Sequence, residues 1–384
     1  MGYLGYPREN GTAGARNHVV AMSSVSCANA VVAAIANAVP GVKPITHAEG
    51  CGRGPRDLVQ TTRTLVGLAT NPNVAAVLVV GLGCEFIQAP MLAAQVAASG
   101  KPVECLVIQD LGGSRTTTRR GIAIAEKLVA RAAAQERREV GWETLTLAVE
   151  CGGSDAMSGV TANPMTGVAA DWLVREGGRV LLSETTEMTG TEHILARRAA
   201  TPEVGERVIA LVQGQERRAR ELLGPLADLA ISPGNAEGGL TNIREKSLGC
   251  IVKGGTSPIR DVIEYGETPR LPGLSLMDTP GSDLFSMTGL AAGGAQIMVF
   301  TTGRGTPAGF PILPVIKVAT NGGLFARMNE DMDLNAGKIL EGVSIQDAGA
   351  ELIAFIARVA SGEPTKAEIN GQDLLAIHTL EPAF

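Results

Sequence analysis

The sequence predicts an α/β protein with two domains built on mainly parallel sheets. Short β-branched runs alternate with alanine-rich stretches, which is the pattern of strands and covering helices in a parallel sheet. The chain has 384 residues, enough for two average domains. A charged segment at 135–143 interrupts the alternation, and the pattern then starts again. We therefore expect one domain at 1–138 and a second at 139–384, with the charged segment as the linker.

The first domain is expected to contain four strand–helix units. The run at 74–80 is almost wholly apolar, which is typical of a strand buried on both faces. Pro55 suits the first turn of a helix. The predicted strands lie at 17–24, just before His47, at 74–80 and at 103–108, and the predicted helices at 28–39, after Pro55, at 87–98 and at 115–134.

The second domain repeats the alternation without any fixed repeat length. A long charged stretch at 202–223 is expected to be helical. The predicted strands lie at 145–149, 180–183, 274–277, 296–300 and 314–318.

Composition excludes several classes of protein. The net charge is −6 and no basic stripe stands out, which argues against a nucleic-acid partner. The longest apolar run, 74–84, is about half the length needed to cross a bilayer, and the N-terminus lacks a secretion signal. Six cysteines in so long a chain are read as reduced thiols rather than a disulfide scaffold. We expect a cytoplasmic protein without a membrane partner.

Reactive side chains follow the predicted strands at their carboxyl ends. In open parallel sheets this edge is where ligands bind, because loops and helix N-termini converge there. Such a distribution indicates an enzyme. The residues in question are Cys27, 47–51, 84–85, Asp110, 151–155, 184–187, 278–279 and 301–304.

Imidazole, thiol and carboxylate groups at this edge predict a metal site. Together they suit a borderline divalent ion such as Fe(II), Mn(II) or Zn(II), and the absence of a C-x-x-C pair argues against structural zinc. An iron–sulfur cluster on three cysteines is the less favoured alternative. The expected ligands are His47, Cys51, Cys84 and Cys151, with Glu85 or Glu184 completing the set.

The remaining cysteines and histidines are read mostly as structural. Cys105 and Cys250 are expected to be small buried hydrophobes, and Cys27 is left open. His193 could be catalytic but is more simply a solvent-facing residue of a helix. His18 and His378 are also assigned to structure.

Two nucleotide-binding motifs are incomplete or missing. The segment 81–86 has two glycines of a dinucleotide fingerprint, but Phe86 stands where the third glycine belongs. No P-loop sequence occurs. An NAD-dependent oxidoreductase is therefore disfavoured, although it is kept as an alternative.

Ten stretches of the chain resemble the altronate/galactarate dehydratase family, in the family's order and along nearly the whole length. They are GYPRENGTAGARN (5–17), HAEGCG (47–52), VVGLGCE (79–85), ECGGSDAMSGVTANP (150–164), LLSETTE (181–187), SPGNAEGGLTNIREKSLG (232–249), KGGT (253–256), MDTPG (277–281), FTTGRGTP (300–307) and MDLNAG (332–337).

The resemblance implies an iron- or manganese-activated elimination of water from a sugar acid, which gives a 2-keto-3-deoxy acid. It also implies a cytosolic homodimer, with the first domain at the dimer interface and contributing part of the site. The second domain is implied to have a Rossmann-like but unusual topology.

Full-length relatives carry a small β-rich domain before the first matching stretch, where this sequence begins. We therefore expect a separate small subunit; the competing interpretation is that the substrate of this chain does not need such a module. Split relatives include the large subunit of sulfolactate sulfo-lyase, so sulfite is an alternative leaving group.

Elimination from a hydroxy acid needs a base, an acid and groups that hold a carboxylate. Lys246, His47 and Glu85 are the candidate catalytic residues, although Lys246 could equally be a solvated lysine. Predicted to bind the substrate are Arg304, Lys253, Asp155, Asn163, Asn235, Asp278 and Thr279. A non-catalytic binding subunit is the alternative of another class, and the clustered His, Cys and Glu argue against it.

Overall fold

The computed structural model describes residues 2–384, which form three sheets with helices packed on them. The strands are β1 (Gly2–Pro7), β2 (Ala13–Gly14), β3 (His18–Ser23), β4 (Val42–Ile45), β5 (Val74–Gly81), β6 (Val103–Val107), β7 (Arg138–Gly141), β8 (Thr146–Cys151), β9 (Arg179–Leu182), β10 (Ile259–Ile263), β11 (Gly273–Met277), β12 (Ile297–Thr302), β13 (Val315–Ala319) and β14 (Leu334–Asn335).

The helices lie between the strands, as expected for parallel sheets. They are α1 (Asn29–Ala38), α2 (Pro55–Thr70), α3 (Ala89–Ala97), α4 (Ser114–Ala133), α5 (Ala162–Arg175), α6 (Glu192–Ala196), α7 (Pro202–Leu223), α8 (Pro233–Glu237), α9 (Ile243–Cys250), α10 (Asp283–Ala292), α11 (Gly322–Arg327), α12 (Ile345–Ala360) and α13 (Lys366–Ile369).

The first sheet is parallel and has the strand order β4-β3-β5-β6. Successive side chains of β5 point to opposite faces: Val77 and Val79 pack with α2 and α3, whereas Leu78 and Val80 pack with α1 and α4. Every residue of β5 is buried. This confirms the expectation of an apolar strand covered on both faces.

The second sheet is also parallel and has the order β10-β11-β9-β8-β12-β13-β14. From β8 the chain builds β9, β10 and β11 to one side, and then crosses to build β12, β13 and β14 on the other. In such sheets the point of reversal leaves a crevice at the carboxyl ends of the strands. Here the reversal lies at β8, which ends at Cys151.

The two parallel sheets share a core. Leu65 and Leu68 of α2 belong to the same apolar cluster as Met287 and Leu290 of α10. The helices approach closely at Gly67, where a Cβ would lie 2.3 Å from the carbonyl oxygen of Ala292. This packing fixes the first sheet against the second.

The charged segment 135–143 is more than a linker, which corrects the prediction. It contains β7, which pairs antiparallel with β1, with Tyr3 opposite Val140. The Tyr3 ring stacks on Trp142 at 5.3 Å, and both residues are buried. The antiparallel sheet β2-β1-β7 therefore ties the N-terminus to the start of the second sheet.

The structure confirms the α/β fold class. The strand predicted at 296–300 is Ile297–Thr302, and the helix predicted at 202–223 has these same bounds. Strand β10 was not predicted, and neither was the short β14. None of the helices in residues 2–384 is both long enough and apolar enough to cross a bilayer.

Candidate active site

Two thiols and two carboxylates meet at the carboxyl edge of the second sheet. Cys151 is the last residue of β8, Glu184 and Glu187 follow β9, and Cys250 ends α9. One ligand atom of each lies within 4.8 Å of the others, and all four residues are buried. Within residues 2–384 no other group of three or more His, Cys, Asp or Glu side chains meets so closely.

Two buried lysines balance the charge of this cluster. Lys253 Nζ lies 2.6 Å from Glu184 Oε2, 2.7 Å from Cys250 Sγ and 3.1 Å from Cys151 Sγ. Burial alone would lower the pKa of Lys253, but the thiol and carboxylate charges outweigh it and raise that pKa well above its ordinary value. Lys246 forms a second buried ion pair, with Glu187.

Glu184 is held in an unusual backbone conformation. Its φ is +68°, and it is the only non-glycine residue of the described chain with a positive φ. Such a conformation costs about 1–2 kcal/mol for a residue with a Cβ. The Glu184 amide donates to Thr279 Oγ1 at 2.8 Å, and Oε2 accepts from the Cys151 amide at 2.9 Å. Oε1 is buried and has no hydrogen-bond partner.

The two thiols of the cluster have different acidities. Their sulfur atoms are 3.4 Å apart. The contact with Cys151 and the charge of Lys253 lower the pKa of Cys250 to about 7 in spite of burial. The same sulfur contact and burial raise the pKa of Cys151 well above its ordinary value. The Lys253 ammonium and the sulfur contact therefore favour ionisation of Cys250 over that of Cys151.

A cavity of about 600 Å³ opens beside the cluster. Its wall includes Glu187 from the cluster and Lys246, the ion-pair partner of Glu187. Asn235 of α8 and Asp283 of α10 also line it. Asn235 is 2% exposed, and its side-chain Nδ2 has no partner. A buried amide donor without a partner is costly unless a ligand supplies the acceptor.

Asp283 brings a carboxyl group to the same cavity from the first turn of α10. Its Oδ2 lies against Gly152, where a Cβ would be 3.1 Å away. No other side chain of residues 2–384 hydrogen-bonds to it. Burial, with the nearby charge of Glu184, raises the pKa of Asp283 to about 6, although Lys246 opposes the shift. The group can therefore exchange a proton near neutral pH.

The predicted ligand His47 lies at the edge of the first sheet, apart from the cluster. The ring is buried, with Nε2 2.8 Å from the Ser23 carbonyl oxygen and Nδ1 3.1 Å from the Glu49 amide. Burial lowers the pKa of His47, so the neutral ring donates from Nε2 and accepts at Nδ1. Both nitrogens are occupied by backbone, and neither remains for a metal.

The other predicted residues of the first edge also lie outside the cluster. Glu85 accepts from Ser24 Oγ at 2.8 Å and from the Gly83 amide at 2.6 Å. Burial would raise the pKa of Glu85, but these hydrogen bonds outweigh it and hold the pKa below its ordinary value. Cys51 and Cys84 are exposed, whereas Cys151 is buried in the other sheet. This separation disfavours an iron–sulfur cluster on those three thiols.

Several predicted substrate ligands are engaged by the protein itself. Lys253 is fully buried within the cluster, so it faces the thiols rather than a substrate.

The Asp155 carboxylate accepts from Ser158 Oγ at 3.0 Å and from Thr320 Oγ1 at 2.8 Å, which fixes the loop after β8. The Asn163 side chain is bound between Thr301 and Gly249. Arg304 pairs with Glu237 at 2.7 Å near the surface.

The other predicted substrate ligands lie at cavities. Asn235 lines the cavity beside the cluster, as described above. Asp278 and Thr279 line a neighbouring cavity. Asp278 Oδ1 already accepts from Thr185 Oγ1 and Gln215 Nε2, at 2.6 and 3.0 Å.

Three residues of the site were not predicted as ligands or catalytic residues from the sequence: Glu187, Cys250 and Asp283. Glu187 stands in the same SETTE segment as Glu184, and its position after a strand was the available signal. Cys250 was assigned to the core. It is buried, but its sulfur faces Cys151, 99 residues earlier in the chain. Asp283 opens a helix after β11, and only the fold shows which cavity it reaches.

Comparison with known proteins identifies the family. Residues 142–382 match the model for D-galactarate/altronate dehydratase, C-terminal, and residues 5–133 match D-galactarate dehydratase/altronate hydrolase, second domain. The chain belongs to the D-galactarate/altronate dehydratase family. The match to the second-domain model ends at residue 133, and the match to the C-terminal model begins at residue 142. Strand β7 lies between the two matched regions.

Individual relatives agree with this assignment. Altronate dehydratase of Bacillus subtilis is 36% identical over 98% of this chain and 77% of its own length. Galactarate dehydratase (L-threo-forming) of Escherichia coli is 40% identical over 78% of this chain and 59% of its own length. (2R)-sulfolactate sulfo-lyase subunit beta of Chromohalobacter salexigens is 36% identical over 96% of this chain and 95% of its own length. The chain is an enzyme, and the dehydratases among these relatives place it with the carbon–oxygen lyases.

Proposed function

We propose that the chain is a metal-dependent dehydratase that removes water from a sugar acid of the altronate or galactarate type and forms a 2-keto-3-deoxy acid. One observation carries the proposal: the cavity that adjoins the buried Cys–Glu cluster also holds an ammonium, a carboxyl with a pKa of about 6 and a free amide donor. The named relatives supply the substrate class.

The donor set of the cluster fits a borderline divalent ion. Cys151, Cys250, Glu184 and Glu187 offer two sulfur and two oxygen ligands, a mixture that suits Fe(II), Mn(II) or Zn(II). The unpartnered Glu184 Oε1 is one such ligand atom. Fully ionised, the four groups would exceed the charge of the two lysines by two, the charge of a divalent ion. When bound, the ion would polarise the carboxylate end of the substrate.

The Lys253 ammonium shows what metal binding would require. It lies within hydrogen-bond distance of three of the four residues. An ion held by these residues would compete with the Lys253 ammonium for the same donor atoms. Since the ligands bind metal in their deprotonated forms, binding would also release protons from the thiols.

Lys246 is better suited to bind a substrate carboxylate than to act as the base. Burial would lower the pKa of Lys246, but Glu187 and the cluster charges outweigh it and raise that pKa above its ordinary value. The side chain is 9% exposed and reaches the cavity wall. A permanently charged ammonium, beside the Asn235 amide, can stabilise negative charge that develops on the substrate carboxylate. This revises the role predicted from the sequence.

Asp283 is the candidate base. A carboxylate with a pKa of about 6 is ionised at neutral pH and can take the proton from C2 of the substrate. The electron pair of that C–H bond forms the C2–C3 double bond as the C3 hydroxyl leaves. The proton and the hydroxyl together make the released water, and the enol becomes the 2-keto acid. Gly152 and Gly153 line the same cavity, and Gly152 lies against the Asp283 carboxyl.

The direct test is turnover by the purified chain under reducing conditions with Fe(II). We expect altronate or galactarate to yield a 2-keto-3-deoxy acid, detected by its reaction with semicarbazide, and we expect a chelator to abolish the reaction. Exchange of the C2 proton with deuterated solvent would identify the proton-transfer step. Full turnover of either acid by metal-free protein would disprove the metal dependence.

Release of sulfite from sulfolactate is the second candidate function. It is favoured by the sulfo-lyase subunit, which matches this chain over nearly its whole length. The family implies a homodimer. Because the sulfo-lyase relative is named as one subunit, we also propose that this chain binds a small partner chain. Sulfite release from sulfolactate, with no product from either sugar acid, would favour this alternative. Co-purification and increased activity on co-expression would support the partner.

A further inference from the structure

A carboxyl group lies inside the second sheet, one residue before the cluster. Glu150 precedes Cys151 in β8, so its side chain points to the opposite face of the sheet, which α10 covers. Glu150 is 0% exposed, and its Oε1 atom has no hydrogen-bond partner. Burying such a group costs free energy. Glu150 does not line the cavity beside the cluster, so any role in the reaction must act through other residues.

Three hydrogen bonds connect Glu150 to the backbone of Glu184. The Glu184 amide donates to Thr279 Oγ1 at 2.8 Å. Thr279 Oγ1 and Ser286 Oγ are 3.0 Å apart, and Ser286 Oγ donates to Glu150 Oε2 at 2.7 Å. All four residues are buried. This hydroxyl chain therefore links a carboxyl group inside the sheet to the one non-glycine residue of the described chain that has a positive φ.

The two ends of the hydroxyl chain fix its direction. An amide can only donate, so Thr279 Oγ1 accepts from Glu184 and keeps its own proton to donate. Within residues 2–384, Ser286 Oγ is the other hydrogen-bond partner of Thr279 Oγ1, so it receives that proton. Ser286 in turn donates to the carboxyl group. Glu150 is thus the acceptor at the end of the chain.

Ser183 provides an internal comparison. Its Oγ also donates to Glu150 Oε2, at 2.9 Å, and Ser183 is 0% exposed, as is Ser286. Its only other side-chain hydrogen-bond contact among residues 2–384 is with Ser286 Oγ, at 3.1 Å. Two equally buried hydroxyls therefore bind the same oxygen, but only Ser286 connects that oxygen to Thr279 and the Glu184 amide.

We propose that Glu150 is a positioning residue of the cluster, which acts through the two hydroxyls to hold Glu184 in its positive-φ conformation with the carboxylate beside the thiols. The inference rests on the proposed function, in which the cluster holds a divalent ion. Without the hydroxyl chain, Glu184 should relax towards negative φ, which a residue with a Cβ prefers. One of the four ligands would then leave its place.

The test measures the dissociation constant of the purified protein for Co(II) under anaerobic conditions. Ser286→Ala breaks the hydroxyl chain and should raise this constant by about 10–100-fold, the usual effect of removing a partner that orients a metal ligand. Ser183→Ala is the matched control and should bind Co(II) as the wild type does. Because both thiols remain in Ser286→Ala, its thiolate-to-cobalt absorption should persist, whereas a general collapse of the site would remove it.

Two variants of Glu150 test the acceptor at the end of the chain. Burial raises the pKa of Glu150 well above its ordinary value, so Glu150→Gln keeps an uncharged acceptor of nearly the same shape. We expect Glu150→Gln to bind Co(II) nearly as the wild type does, and Glu150→Met to show the loss seen in Ser286→Ala. Equal losses in the two serine variants, equal losses in the two Glu150 variants, or wild-type affinity in Glu150→Met would overturn the inference.

Crystal structures of the two serine variants separate this inference from the proposed function. A Glu184 φ that leaves the positive region in Ser286→Ala, but not in Ser183→Ala, would support the positioning role. That result would hold even if the wild type bound no metal, which would disprove the proposed metal dependence. An unchanged Glu184 conformation in Ser286→Ala would overturn the inference even if the wild type bound Co(II) and dehydrated a sugar acid.

Discussion

The carboxyl edges of the two parallel sheets carry similar side chains, but the burial and the hydrogen-bond partners of these side chains differ. At the first edge, His47 and Glu85 are satisfied by backbone and hydroxyl groups, and the thiols of Cys51 and Cys84 are exposed. At the second edge the thiols are buried, two lysines oppose the carboxylates, and Glu184 keeps an unpartnered oxygen.

A position at the carboxyl edge of a sheet is therefore not enough to make a residue part of a functional site. At the first edge the folded chain already supplies partners for His47 and Glu85, so these two side chains stabilise loops. At the second edge, charged groups are buried away from water. Burying charge costs free energy, and such groups are typical of functional sites, where the chemistry requires them. Substitutions should therefore affect stability at the first edge and turnover at the second.

The largest effect is expected for Asp283→Asn at the second edge. It removes the candidate base and should lower kcat by about 10²–10⁴-fold, with the melting temperature nearly unchanged. The wild-type rate should fall as the pH drops below about 6, because the carboxylate becomes protonated, and the variant should lose this dependence. Ser282→Ala, an exposed neighbour, is the control. Normal turnover by Asp283→Asn would exclude it as the base.

His47→Phe at the first edge should act on stability instead. The buried Glu49 amide and Ser23 carbonyl would lose their partners, which should reduce the free energy of unfolding by about 2–4 kcal/mol. Urea denaturation measures the change, and His193→Phe on the exposed face of α6 is the matched control. Protein that remains folded should keep near-normal kcat. A large loss of kcat without loss of stability would return His47 to the catalytic site.

Glu85→Gln should have the smallest effect, together with a particular pH dependence. Hydrogen bonds lower the pKa of Glu85 below that of the unfolded chain, so its stabilisation is present at neutral pH. The stabilisation is lost as the pH falls from about 4.5 through the lower folded value. The variant should cost about 1–2 kcal/mol at pH 7 and show a smaller difference from the wild type below pH 4. A constant difference at all pH values would contradict this account.

The same contrast shows what the sequence could predict. Strand and helix positions follow from hydrophobic alternation, and the ends of β8 and β9 correctly marked Cys151 and Glu184 as edge residues. The sequence does not show which edge residues are buried together. Cys250 reaches Cys151 only through the packing of α9, and a buried cysteine is normally a small hydrophobe. Lys253 was predicted to bind the substrate, and only the fold shows it enclosed by thiols and a carboxylate.

The most direct test of the central claim is metal content under anaerobic conditions, by equilibrium dialysis against Fe(II) followed by elemental analysis. We expect about one ion per chain in the wild type and in Cys84→Ser, because the second edge holds the donor set. The double variant Cys151→Ser/Cys250→Ser should bind at least about tenfold more weakly, because it loses both thiolates. Loss of the ion in Cys84→Ser, with wild-type binding by the folded double variant, would contradict the account.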